Sequence, residues 1–243
     1  MKNKINEAHE ATEDTGEAYS EESSKKRKAV IPGEIIVSGE DFLPGEGARR
    51  EGNDIVASRF GLAEEAGRIA KVIPITGAFI PRRNNVILGR VSDITFRGWI
   101  VDIDSAASGF LPIEESPRFI NKNEMDQFLA IGDVVSAKIW SVSPKGIDLS
   151  LKGKGLGKLE DGFIFRVSPN RVPRIIGREG SMISLIKDKT GCNITVGQNG
   201  WIWIHSDSVE AGIKARKAIE FVAEKVYVEG LTEKMEGWFE KQK

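Results

Sequence analysis

Val172-Pro173-Arg174-Ile175-Ile176-Gly177-Arg178-Glu179-Gly180-Ser181-Met182-Ile183 decides how this chain is read. Two glycines, three positions apart, follow an Ile-Ile pair and precede a stretch of helical period. Residues 181–190 put Met182, Leu185 and Ile186 on one face, and Gly191 supplies the stop. Upstream, 163–167 reads as a strand. Downstream, 193–196 and 201–205 alternate as two strands joined through Gly197-Gln198-Asn199-Gly200, a hairpin connection containing Asn-Gly. Asp207 is placed to cap a last helix with Val209, Gly212, Ala215, Ile219, Val222 and Val226 along its inner stripe. The predicted order is strand, helix, helix, strand, strand, helix.

A lone Gly-x-x-Gly is weak evidence, because glycine pairs are common in turns. Set in this order of elements it resembles the KH domain, whose GXXG loop clamps the backbone of single-stranded RNA. Glycine suits that task because it lets phosphate approach the main chain with no Cβ in the way. The N–H groups opening the next helix then face an anion. The resemblance makes Arg174, Ile175, Ile176, Gly177, Arg178, Glu179 and Gly180 the expected RNA-binding residues of a KH domain at 158–228. Arg178 brings positive charge to the loop tip, and Glu179 is expected to point away from phosphate.

Working outward, Gly153, Gly155 and Gly157, interleaved with lysines, read as a flexible linker. Before it, 82–152 holds five alternating stretches: 86–91, 95–103, 109–113, 134–140 and 146–151. Five strands in about 65 residues is the count of an OB-fold barrel. The one long connection, between Ile113 and Ile131, is rich in Glu, Asn and Lys. The stretches from Gly89-Arg90-Val91 to Ile147-Asp148-Leu149-Ser150-Leu151-Lys152 resemble the RNA-binding barrel named after ribosomal protein S-one. Two positions depart from that pattern. Arg97 stands where an exposed aromatic is usual, and Pro112 where histidine is common. Phosphate contact through Arg97, Arg118 and Lys122 is therefore expected here rather than base stacking.

Residues 29–80 read as a small N-terminal β domain, with strands at 30–37, 54–58 and 68–74 between glycines and prolines. Residues 1–28 carry seven acidic side chains and then Lys25-Lys26-Arg27-Lys28, and are expected to be a disordered tail. Residues 229–243 read as a C-terminal tail. The fold class is thus multidomain β and α+β. The whole chain carries 35 Lys+Arg against 36 Asp+Glu, a net charge of −1, so it is not a globally basic nucleic-acid binder. Its single cysteine excludes a disulfide framework, and its two histidines make a His-rich metal site unexpected. No apolar run approaches the length that spans a bilayer. A cytoplasmic protein without membrane partners or cofactors is expected.

The three blocks in this order resemble the RNA-binding cap subunit of the archaeal exosome, the KH-bearing kind. The resemblance covers 29–228 and includes Val30-Ile31-Pro32-Gly33, Val72-Ile73-Pro74, Phe79-Ile80-Pro81, Trp99 and the 197–204 hairpin. Asn84-Asn85 departs from the expected Gly-Asp. The resemblance implies a non-catalytic subunit, three copies on a hexameric ring of RNase PH-like proteins, threading single-stranded RNA to be degraded from its 3′ end. A NusA-like transcription elongation factor is the alternative, although that kind carries two KH modules. A ribonuclease acting by itself lacks any clustered carboxylate, histidine or nucleophile signature here. Trp201 and Trp203 share a strand face with His205 and are expected to meet a neighbouring domain, while Ile202 and Ile204 pack under the helices. Cys192 reads as a buried small side chain, and Asp102 and Asp104 as strand-end solvation.

Overall fold

The computed structural model describes residues 28–225 and 230–241. The expected N-terminal tail lies outside them, apart from Lys28. The described residues fall into two compact units that divide between Ile73 and Pro74.

The described residues of the first unit form only strands and turns. Its strands are β1 (Lys28–Val30), β2 (Ile35–Ser38), β3 (Leu43–Pro44), β4 (Ala48–Glu51), β5 (Asp54–Ala57), β6 (Gly61–Ala66) and β7 (Ile69–Pro74). They form a four-stranded sheet, β1-β6-β7-β3, and a three-stranded sheet, β2-β5-β4. Val30, Ala57, Ala63 and Val72 make the core between them. The predicted strand at 30–37 is broken in two. Pro32 has no N–H for a ladder, and Gly33 turns at φ 88° while its N–H donates to the Ala57 carbonyl at 2.8 Å. Pro32 and Gly33 thus outweigh the apolar run on either side of them.

The second unit opens with a barrel. Its strands are β8 (Val86–Thr95), β9 (Gly98–Asp102), β10 (Gly109–Pro112), β11 (Val134–Ser143) and β12 (Gly146–Ser150). The ladder runs β12-β10-β9-β8-β11, and β11 pairs with β12 to close it. Alternate residues point inward, so Ile87, Val91, Trp99, Val101, Leu111, Val135, Ala137, Ile139 and Leu149 fill the interior. The predicted strand at 95–103 instead begins at Gly98, after a tight turn at Phe96-Arg97. Gly98 sits at φ 156°, and a Cβ there would overlap the Leu111 carbonyl. The long connection carries α1 (Met125–Phe128), and Ile120, Met125 and Leu129 join the barrel core. The buried Trp99 indole donates to the Leu129 carbonyl at 3.0 Å and fixes the connection in place. Phe79 also packs on this core, so residues 74–80 go with the barrel rather than with the first unit.

The glycine-rich linker is only partly irregular. It ends in β13 (Gly157–Leu159), which pairs antiparallel with β11 as a sixth strand. Then follow β14 (Phe163–Arg166), α2 (Val172–Ile176), α3 (Ser181–Thr190), β15 (Asn193–Val196), β16 (Trp201–His205) and α4 (Val209–Glu224). The sheet order is β14-β16-β15, antiparallel throughout. This is the predicted βααββα order of a KH domain. The position before α4 is Ser208 rather than Asp207, and no side chain caps the helix there.

The expected C-terminal tail is instead a helix, α5 (Leu231–Lys241). Met235 and Phe239, one turn apart, are buried in the KH core, with Leu231 and Trp238 partly buried beside them. An isolated helix of this length is marginal in water. Burying a Met or Phe side chain contributes about 1.5–3 kcal/mol, which is what holds α5 down.

Candidate nucleic-acid interface

The 177–180 loop is a sharp corner between two helices. Pro173 lies in the first turn of α2, where its missing N–H costs nothing. The helix stops at Gly177, whose N–H donates to the Pro173 carbonyl at 3.0 Å. Gly177 has φ 76° and ψ 178°, a region open essentially to glycine alone. A Cβ there would also lie 2.7 Å from the Met182 backbone nitrogen. Glu179 (φ 52°) and Gly180 (φ 81°) are both left-handed, so the chain reverses into α3. A Cβ on Gly180 would meet open space. Arg178 and Glu179 are exposed at the tip. No side chain caps α3, and the N–H of its first residue, Ser181, donates to the Arg178 carbonyl across the loop. The partial positive charge of this helix start favours an anion.

Of the residues before the loop, Arg174 and Ile176 are half-buried at its edge. Ile175 is the correction. Its side chain is fully buried in the KH core with Ile186, Ile202 and Ile219, so it supports the loop from beneath and offers nothing to a ligand.

The second Gly-x-x-Gly, 197–200, has gone the opposite way. The Gln198 N–H donates to the Val86 carbonyl at 2.8 Å, and the Val86 N–H returns to Gln198 Oε1 at 3.1 Å. Asn199 is 1% exposed. Its Oδ1 accepts from the Leu88 N–H at 3.2 Å, and its Nδ2 donates to the carbonyls of Leu88 (2.7 Å) and Ile103 (2.9 Å). The two amide side chains thus continue the β8 ladder as a strand's peptide groups would. Trp201 and Trp203 pack beside them on Leu88, with Leu159 and Ile164 partly buried against the cluster. At the rim, the Arg166 guanidinium lies 4.8 Å from the Trp201 ring and pairs with Asp104 at 3.1 Å. Barrel and KH domain are joined into one body. The tryptophans meet the neighbouring domain as expected, with Ile202 and Ile204 in the KH core.

Arg97, Arg118 and Lys122 are exposed at one end of the barrel. Arg97 is on the β8–β9 turn, and its carbonyl accepts from the Ile113 N–H at 3.0 Å, where the long connection begins. Arg118 rests against Phe128, 5.8 Å from the ring. Cys192 is buried as expected. Asp102 accepts from the Asp104 N–H as a strand-end turn. Among the described residues no group of three or more His, Cys, Asp or Glu is arranged to hold a metal, and no helix is long and apolar enough to cross a membrane.

With this geometry in hand, the KH domain family matches residues 162–210. The exosome complex component Rrp4 of Nitrosopumilus maritimus is 36% identical over 221 residues, covering 89% of this chain and 97% of that protein. The chain belongs to the Rrp4 family of exosome complex components. The Methanothermus fervidus member is 38% identical over 212 residues, covering 87% and 94% of the two chains. A crystal structure of a protein assigned as an exosome complex RNA-binding protein superposes with a TM-score of 0.61 at 30% identity, over 68% of this chain and 97% of that one. These relatives favour the exosome reading over the elongation-factor one.

In this Rrp4-family chain the 177–180 loop is legible in the sequence and the barrel–KH joint is not. Gln198 and Asn199 have the character of hairpin residues, and their polarity gives no sign of burial. The only available signal was the aromatic pair next to them, which needed a cover. Phe96 and Phe119, which belong to no motif, are 76% and 89% exposed beside the barrel-end cations.

Proposed function

We propose that this chain is a non-catalytic RNA-binding subunit of an exosome in the cytoplasm. It holds single-stranded RNA above a hexameric ring of RNase PH-like subunits, three copies to a ring, and feeds the 3′ end inward. The observation that carries this reading is the locked barrel–KH body, which presents a glycine loop and an uncapped helix start on one module and three cations on the other. A strand held by both modules is constrained in direction as well as position. The proposed RNA contacts are Arg174, Ile176, Gly177, Arg178, Glu179 and Gly180 on the KH domain, and Arg97, Arg118 and Lys122 on the barrel. Ring attachment is assigned to the first unit. Leu43 and Ile69 are direct neighbours in register on β3 and β7 and are 58% and 45% exposed, an apolar pair open to a partner.

The test is reconstitution with the ring. Native mass should show three copies per hexamer, and the double variant Leu43→Glu with Ile69→Glu should co-purify poorly with it. RNA shortening by the isolated chain, after contaminants are removed, overturns the non-catalytic assignment. Normal assembly of the double variant places the docking surface elsewhere.

A further inference from the structure

We infer that Phe119 and Phe96 form a base-stacking platform for single-stranded RNA at the end of the barrel. The inference rests on the RNA-binding reading above and adds a mode of contact to it, since the cations alone would grip only phosphate.

Phe119 is 89% exposed, the most exposed large apolar side chain among the described residues. It is not on a slack loop. Ser116 Oγ lies 2.6 Å from the Ile113 carbonyl oxygen and 2.7 Å from that of Arg118, donating to either in turn. On the other side Ile120 is buried in the barrel core. Phe119 therefore stands in water on a backbone held at both neighbours. A ring presented in this way has little left to lose in ordering when a partner covers it.

Phe96 is held comparably. It occupies the β8–β9 turn, where the Thr95 hydroxyl donates to the Gly98 carbonyl at 2.9 Å. The adjoining Arg97 carbonyl ties that turn to Ile113, the first residue of the segment that carries Phe119. The two rings thus belong to the same end of the barrel. Each is flanked in sequence by a cation: Arg97 follows Phe96, and Arg118 precedes Phe119, with Lys122 three residues after it. A cavity of about 620 Å³ opens beside Phe119, lined by Ile113, Pro117, Arg118, Asn121 and Lys122. It offers apolar surface for a base and donors for its polar edge. Glu114 on the same lining repels phosphate, so the backbone runs on the Arg118–Lys122 side and the base on the Phe119 side.

Aromatic faces interleaved with cations are what single-stranded nucleic acid recognises. A protein partner is the other occupant that exposed phenylalanine fits. The three cations favour the polyanion.

The experiment compares full-length wild type with Phe119→Ala, Phe119→Trp, Phe96→Ala and Arg118→Ala, binding fluorescent oligo(A) and oligo(U) at several salt concentrations. Phe119→Ala should weaken oligo(A) binding about tenfold and oligo(U) less, since purines stack better, with the salt dependence unchanged. Phe119→Trp should restore affinity. Arg118→Ala should instead flatten the salt dependence, because it removes a phosphate contact. Phe96→Ala should resemble Phe119→Ala with a smaller loss. Unchanged affinity in a folded Phe119→Ala protein overturns the platform. So does loss of ring co-purification with RNA affinity intact, which makes Phe119 a protein contact. If wild type binds neither RNA at low salt, the RNA-binding reading fails with it.

Discussion

The KH domain contains two Gly-x-x-Gly tetrads, and their fates are opposite. Gly177-Arg178-Glu179-Gly180 stands in solvent with charged side chains at its tip. Gly197-Gln198-Asn199-Gly200 is driven into the barrel with its amides bonded to β8. The glycines do related work in both. Gly177 avoids Met182, while Gly197 lies where a Cβ would meet the Leu88 nitrogen at 2.6 Å. The two residues between the glycines make the difference. Arg and Glu cannot be buried cheaply without partners, whereas Gln and Asn carry the donors and acceptor of a peptide group and, like it, no charge. Glycine spacing sets where the backbone can turn closely. The residues enclosed decide whether that turn faces water or protein.

The largest expected effect comes from charging the buried loop. Asn199→Asp keeps the shape of the side chain but replaces the Nδ2 donor with an acceptor facing two carbonyls. An unpaired buried charge of this kind costs about 3–5 kcal/mol. Denaturant unfolding should show a loss of that size, and limited proteolysis should cut more readily between barrel and KH domain. A loss below about 1 kcal/mol would mean that the joint is held by Trp201 and Trp203 alone.

Within the exposed loop the two glycines should separate. Gly177→Ala forces a residue with a Cβ into a region that costs about 1–3 kcal/mol and adds the clash with Met182. Gly180→Ala pays only for a left-handed residue in open space, about 1 kcal/mol. Thermal unfolding of the two variants should therefore rank Gly177→Ala well below Gly180→Ala. Equal melting temperatures would remove the steric role assigned to Gly177.

What could be read in advance follows the same division. The βααββα order and the five barrel strands were legible because apolar residues alternate at strand or helix period and glycines mark the ends. The 177–180 loop was legible because its flanks are helical. Ile175 was misplaced, since an apolar residue beside a loop looks the same in sequence whether it faces inward or outward. The helix α5 was missed because Gly230 and Gly237 and many charges obscure the Met235–Phe239 spacing. The Asn199 joint was hidden for a different reason: a side chain imitating a backbone leaves no periodic trace.

A smaller effect is expected at the exposed tip. The double variant Arg178→Asp with Glu179→Asp should leave stability within about 0.5 kcal/mol, helped by the tolerance of Asp for the left-handed conformation at position 179. RNA affinity should fall about tenfold at low salt, equally for different sequences, because a phosphate contact is lost and a repulsion gained. Raising the salt should shrink the difference. Unchanged affinity in the folded variant would make both tetrads structural, and the contrast between them would lose its functional half.

The smallest effect tests how the buried joint differs from the covalent tether beside it. Lys158, on β13, lies 2.8 Å from Asp133 and 3.7 Å from Glu160. The hydrogen bond to Asp133 holds its ammonium above the ordinary value of 10.5, with desolvation opposing and Glu160 assisting. A pKa raised on folding contributes stability that is complete below 10.5 and disappears as the pH climbs through the folded value. Lys158→Met should therefore cost less than about 1 kcal/mol of stability near neutral pH for so exposed a pair, seen as a slightly lower melting temperature. The gap from wild type should close in strong salt and again above pH 10.5. Asn199→Ala should behave differently, because its lost bonds are neutral and untitratable, and its deficit should persist under both conditions. A Lys158→Met gap that ignores salt and alkali would mean that β13 is held by its ladder with β11 rather than by charge.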